Sequence, residues 1–140
     1  MASLGVPAKR VFLANYPDFS HADDGTLCDL STPGALAVSW PQPVWAMFSD
    51  NSRLLNEHVA RAGGRLGFAI VPVDQSAFAM RGYCSSRSLF VGLFSAAARD
   101  DVAGPFHPNR EAHVIAMRAT ASRLCASLYK GDEKCGSASR

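Results

Sequence analysis

Residues 67–94 read GFAIVPVDQSAFAMRGYCSSRSLFVGLF. Gly67 to Val73 is a continuous apolar run. Ala77 to Tyr83 alternates, with Phe78 and Met80 on one face, and Leu89, Val91 and Leu93 alternate with Phe90 and Phe94. Alternation with period two is the pattern of half-buried strands. The short polar connections, Asp74-Gln75 and Cys84 to Arg87, suit hairpins. The stretch is therefore expected to form a three-strand antiparallel meander.

Two helices flank it. From Pro43 to Ala62 the residues Val44, Phe48, Leu55, Val59 and Ala62 share one helical face. Pro43 suits a first turn, and Gly63-Gly64 reads as the stop. Trp45 and Met47 lie off that stripe and leave surplus apolar surface. The second helix runs from Asn109, a good N-cap, to Leu128, with Val114, Met117, Ala121, Leu124 and Leu128 along one face. Lys130 and Gly131 close it. Before the first helix, Arg10 to Tyr16 reads as a strand, and a second strand is either Thr26 to Leu30 or Ala35 to Trp40. The expected order is ββαβββα, a five-stranded antiparallel sheet with flanking helices, class α+β. Residues 1–131 form the expected single domain, and residues 132–140 a polar, disordered tail.

Composition sets the outer limits. A chain of 140 residues buries roughly two-thirds of the surface its unfolded form exposes. It is 48% apolar and 19% charged, an ordinary globular balance. The net charge of +2, with Lys and Arg scattered along the chain, gives no nucleic-acid signature. The longest uncharged stretch, Leu30 to Ser49, is interrupted by Pro33, Pro41 and Pro43 and cannot be one membrane-spanning helix. Met1 to Pro7 has no apolar core of signal-peptide length. Lys9 and Arg10 precede the first acid, Asp18, as they would in a short presequence. The chain reads as cytosolic, and on that reading Cys28, Cys84, Cys125 and Cys135 are reduced thiols.

The sequence contains no nucleophile elbow, P-loop, dinucleotide fingerprint or zinc-protease motif. Three weaker clusters remain. His107, Glu111 and His113 could hold a metal, against the simpler reading of an exposed cap with Glu111 favoured by the helix dipole. Asp18, His21, Asp23 and Asp24 could hold a hard cation, against a plain turn. Cys84-Ser-Ser-Arg87 is similar to a thiol-phosphatase loop, against a hairpin turn. No catalytic, cofactor or metal residue is assigned, and His58 reads as a solvated or interface side chain.

Asp23-Asp24-Gly25-Thr26-Leu27 and the Trp-bearing helix Val44-Trp-Ala-Met-Phe-Ser-Asp-Asn51 resemble the roadblock family, closest to its Ragulator adaptor type, over about residues 10 to 129. Longin and profilin-like folds, in trafficking or actin binding, are the related alternative. The resemblance implies a non-enzymatic scaffold or adaptor. It would dimerise with itself or a homologue through the central helix and the following strand. It would then present a platform to a small GTPase, a motor or a scaffold complex, on the late endosome or lysosome through its partners. The interface residues implied are Val44, Trp45, Met47, Phe48, Asn51, Leu55, Phe68, Ile70 and Pro72. Trp45 reads equally as core. Pro72 inside an apolar strand marks an edge, because proline cannot donate to a ladder.

Overall fold

A computed structural model describes residues 5–29, 40–73, 75–98, 100 and 104–129. Among them the sheet has two strands only, β1 (Phe12–Ala14) and β2 (Ala69–Val71). The strands are parallel, in the register Phe12↔Ala69, Leu13↔Ile70 and Ala14↔Val71. A parallel pair needs a crossover connection, usually a helix. Here it is α1 (Gln42–Arg65). Three further helices follow, α2 (Gln75–Phe78), α3 (Leu93–Ala97) and α4 (Arg110–Leu128), and a single 3-10 turn at Ala8–Arg10 precedes β1.

The expected antiparallel five-stranded sheet is thus overturned, and so is the order ββαβββα. Both helices flanking the meander form, as do β1 and β2 within the runs assigned to strands. The meander does not. Residues 77–83 continue the short helix α2 into successive turns, because Phe78, Tyr83 and Cys84 all turn into the core. Of residues 89–94, only Phe90 makes a bridge, to Pro108, and Leu93 and Phe94 open α3. Thr26 to Leu30 supplies a lone bridge from Leu27 to His21. The alternative at Ala35 to Trp40 lies outside the described residues except for Trp40, and so does the tail 132–140.

Gly63 and Gly64 do not stop α1. A Cβ on Gly63 would sit 2.8 Å from Ile70 Cδ1 and 3.1 Å from Leu13 Cδ1. The glycine lets the last turns of the helix lie directly on the sheet. The turn comes later, at Gly67, whose φ of 70° suits glycine. The buried face of α1 is Trp45, Ser52 and Gly63, one position round from the expected stripe. Leu54 and Leu55 are consequently exposed. An ion ladder, Asp50–Arg53–Glu57–Arg61, runs along the outside of α1 at helical spacing.

In α4 the capping was legible: Asn109 Oδ1 accepts from Ala112 N at 3.1 Å. Its inner face is Ala112, Ile115 and Ala116. Met117 is 63% exposed and Leu124 is half-buried, so the Met117–Leu124–Leu128 stripe is not the core stripe.

The described cysteines are not reduced thiols. Cys28 and Cys84 form a disulfide with a Cα–Cα distance of 6.0 Å, Cys125 is disulfide-bonded too, and no described cysteine is free.

Candidate functional site at the carboxyl edge of the strands

Because β1 and β2 run the same way, their carboxyl ends open onto one edge. That edge is where open parallel sheets place their ligands. The polar residues that follow each strand collect there. Asn15 and Asp18 after β1 and Gln75 after β2 line a cleft of about 440 Å³, and Ser49, Ser52, Asn56 and others along α1 form its wall.

Asp18 is the centre of the local bonding. Its Oδ1 accepts from Ser20 N at 2.9 Å and its Oδ2 from Ser49 Oγ at 2.5 Å. His21 Nδ1 lies 3.5 Å from the same Oδ2. Asn56 clamps the chain above: Tyr16 N donates to its Oδ1 and its Nδ2 donates to Tyr16 O, both at 2.8 Å. Asn15 Oδ1 and His21 Nδ1 are enclosed without a hydrogen-bond partner among the described residues.

Ser49, Asp18 and His21 are the residue types of a nucleophile relay, in the wrong order. A serine is activated by a base that takes its proton, with a third group orienting the base. Here the Ser49 hydroxyl is aimed at the carboxylate and the imidazole is not on its path. The arrangement positions the loop 15–21 and does not activate Ser49.

Behind the cleft the loops are heavily fastened. Phe19, Trp40, Trp45, Phe48, Tyr83 and Phe106 form a continuous aromatic nest, with Tyr83 and Phe106 stacked at 4.6 Å. Trp45 is 0% exposed and its Nε1 donates to Trp40 O at 3.2 Å. The buried Tyr83 hydroxyl accepts from Leu93 N at 2.9 Å, and burial raises its pKa above the usual value. The disulfide ties 28 to 84. Asp23 accepts from Ser85 Oγ at 2.5 Å and from Ser86 N at 3.0 Å. Those bonds, the Ser85 one foremost, hold its carboxyl below the usual range. A Cβ on Gly82 would fall onto the His21 and Phe19 backbone, with Phe19 O at 2.7 Å.

The loop 104–109 forms the other wall of this region. Phe106 is held at φ 66°, left-handed backbone that a bulky side chain rarely adopts. Its ring stacks on Tyr83 and on Trp40. Phe106 N donates to Val91 O at 3.0 Å and Val91 N to His107 O at 2.9 Å. Asn109 N donates to Leu89 O and Asn109 Nδ2 to Ser88 O, both at 2.8 Å. The fixed loop presents His107 to solvent. The last turns of α4 lie against Lys9, Arg10 and Gly67 at the amino ends of the strands. A helix of 19 residues spans about 28 Å, so its start, next to His107, points to the carboxyl edge.

The clusters singled out in the sequence separate in space. Glu111 turns from His107 and His113 to form a fork with Arg81, 2.8 and 2.9 Å, which lowers its pKa. Asp24 bonds Thr26 N and Oγ1, the plain-turn reading. Cys84 is spent in the disulfide. His58 lies on the exposed side of α1, with Nδ1 3.2 Å from Arg61 Nη2. Among the described residues no group of three or more His, Cys, Asp or Glu could hold a metal.

The nine residues proposed for an interface do not form one patch. Trp45 is in the core, and Val44 and Phe48 are half-buried beside it. Met47, Asn51 and Leu55 are exposed on α1. Phe68 is half-buried at the start of β2, whereas Ile70 and Pro72 line a groove against Ala119, Ser122, Arg123 and Ala126 of α4. Asn15, Ser49 and Asn56 were missed. The available signal was Asn15 and Asp18 shortly after an apolar strand, which carries meaning only once the sheet is parallel.

No helix among the described residues is long and apolar enough to cross a membrane. No family model, curated protein or solved structure matches the chain.

Proposed function

We propose that this chain is a protein-binding module that pairs by adding its strands to a larger sheet, with a second copy or a related chain as the partner. The observation that carries the reading is the state of the strand pair. Parallel sheets are normally covered on both faces and extend over several strands. This one has two strands among the described residues, and the strand residues are half-buried or exposed except Val71. The ladder bonds Ala69 N to Val11 O and Asn15 N to Val71 O turn Ala69 and Val71 toward β1. By the geometry of a parallel ladder, Phe12 and Ala14 then turn their own N–H and C=O groups to the outer side. Among the described residues no strand takes them up. On the other side of the pair the chain continues at once into Pro72, which has no N–H to offer. The outer edge of β1 is therefore the pairing edge, and such edges recruit strands.

The disulfides support an oxidising compartment, where such bonds persist, in place of the cytosolic reading. The small-GTPase or motor platform is not carried forward, because it stood on helices over an antiparallel sheet. The test uses Ala14→Pro. Proline there deletes an outward donor and leaves the bonds to β2 intact. Wild type is expected to associate in light scattering while Ala14→Pro stays monomeric with an unchanged circular dichroism spectrum. Wild type that remains monomeric at high concentration and captures no related chain removes the reading.

One observation favours a second reading, in which the carboxyl edge is catalytic. Strained backbone such as that at Phe106 concentrates at functional sites, and it sets the exposed imidazole of His107. With Cys84 in a disulfide, His107 is the residue on which an enzymatic reading rests. Turnover of generic ester, phosphoester or glycoside chromogens, lost in His107→Ala at unchanged stability, would support it. No turnover by the wild type of any of the three would dismiss it.

A further inference from the structure

The amino edge of the strand pair carries a second cleft, of about 610 Å³, lined by Lys9, Arg10, Gly67, Phe68, Ala69, Arg123 and the end of α4. Among the described residues its lining holds three cations and no acid. None of Lys9, Arg10 and Arg123 forms an ion pair with a described residue, and all three are exposed. Arg65, at the end of α1, adds a fourth exposed cation next to the Leu66–Gly67 turn. In the sequence the pair Lys9-Arg10, Arg65 and Arg123 are far apart. The fold gathers them because α4 ends where β1 and β2 begin.

Large apolar side chains stand out beside the cations. Leu66 is 59% and Tyr129 58% exposed, and Val6 and Leu128 are exposed too. The turn bearing Leu66 meets the 3-10 turn directly: a Cβ on Gly67 would lie 3.6 Å from Ala8 Cβ. Leu128 lines the cleft and Tyr129 follows it.

We propose that this edge docks on an anionic lipid surface. Cations beside exposed Leu and Tyr are the two features that hold a protein on charged headgroups, charge attraction and shallow apolar burial. The helix dipole argues against a small anion sunk in the cleft. The carboxyl end of α4, the negative pole of the helix, forms part of its wall. Cations that project into solvent serve a flat, extended partner better. The surface shares no lining residue with the cleft at the carboxyl edge.

The experiment is co-sedimentation of the full chain with vesicles of phosphatidylcholine alone and of phosphatidylcholine with phosphatidylglycerol. Binding is expected to the second only, weakening with salt as screening shortens the reach of the charges. Each neutralised cation should lower the partition coefficient roughly five-fold, so Arg10→Gln with Arg123→Gln should lower it roughly 25-fold. Both positions are exposed, and circular dichroism checks that the variant is folded. Leu66→Ser with Tyr129→Ser should weaken binding without changing its salt dependence. Inorganic phosphate and polyglutamate are the competing probes. Failure to bind phosphatidylglycerol vesicles overturns the proposal. So does vesicle binding that the arginine pair leaves unchanged, binding abolished by millimolar phosphate, or capture of polyglutamate in place of vesicles.

Discussion

The two ends of the strand pair are built differently. At the carboxyl edge, loops from distant parts of the chain are fastened by a disulfide, by an aromatic nest and by carboxylates that accept from backbone and hydroxyl groups. At the amino edge there is a turn, a helix end and a group of cations with apolar neighbours in solvent. The core residues show the same asymmetry: of those in the main cluster, only Trp45 and Ala112 come from long helices, and none comes from a strand. The fold is thus held by its loops more than by its sheet. Strands that contribute little to the core of their own chain are free to contribute to another.

The largest expected effect of breaking the carboxyl edge comes from the disulfide. Cys28→Ser with Cys84→Ser reopens a loop with a sequence separation of 56, which the chain-entropy account puts at about 4 kcal/mol. Denaturant unfolding should show a lower midpoint at similar slope. A loss under about 1 kcal/mol would mean that the loops are held without it.

Gly82→Ala comes next. The added carbon meets backbone, which cannot rotate away as a side-chain tip would. We expect a loss of about 3 kcal/mol, at the upper end for overpacking, read as a lower melting temperature. A neutral result would show that the 19–21 and 82–85 segments are not in contact.

Acid should separate the two edges. Asp23, Asp24 and Glu111 have folded pKa values below 3.8, 3.8 and 4.5, their ordinary values. A carboxyl with a depressed folded value binds fewer protons folded than unfolded. Its contribution is complete above the ordinary value and disappears as pH falls through the folded one. Amide protection near Ser85 and Arg81 should therefore fall below about pH 4, while amides near Gly67 and Phe68, whose cleft has no carboxylate among the described residues, change less. Asp23→Asn should remove most of the dependence near Ser85. A uniform acid response along the chain would contradict the asymmetry.

The smallest effect belongs to the far side of α4. Met117→Ser, at a position 63% exposed, should change stability by less than about 0.5 kcal/mol. A larger loss would mean that Met117 is covered.

What the sequence made legible follows local chemistry. Asn109 caps α4 and Pro43 opens α1 because capping and proline geometry are decided within a few residues. The turn at Asp23 to Thr26 was likewise local, with Gly25 at φ 79° and Asp24 bonding Thr26. The helix between two apolar runs was visible, and with it the parallel pair could have been read. The apparent hairpins downstream pointed the other way. The alternation at Phe78, Met80 and Leu89 to Phe94 is one of residue type and not of burial: Phe78 is buried and Met80 exposed, and the neighbours Leu89 and Phe90 are buried together. The Cys28–Cys84 pairing had no spacing signal. The grouping of Lys9, Arg10, Arg65 and Arg123, and the approach of Asn56 to Tyr16, depend on the crossover and could not be read before it.

The outward amides of β1 test the central claim most directly. In the associated protein, hydrogen exchange followed by NMR should show Phe12 and Ala14 protected, and on dilution these two should lose protection while Leu13 and Asn15, which face β2, keep theirs. Phe12 and Ala14 amides that exchange freely at every concentration, alone or with a related chain, would contradict the claim that this edge takes up a strand.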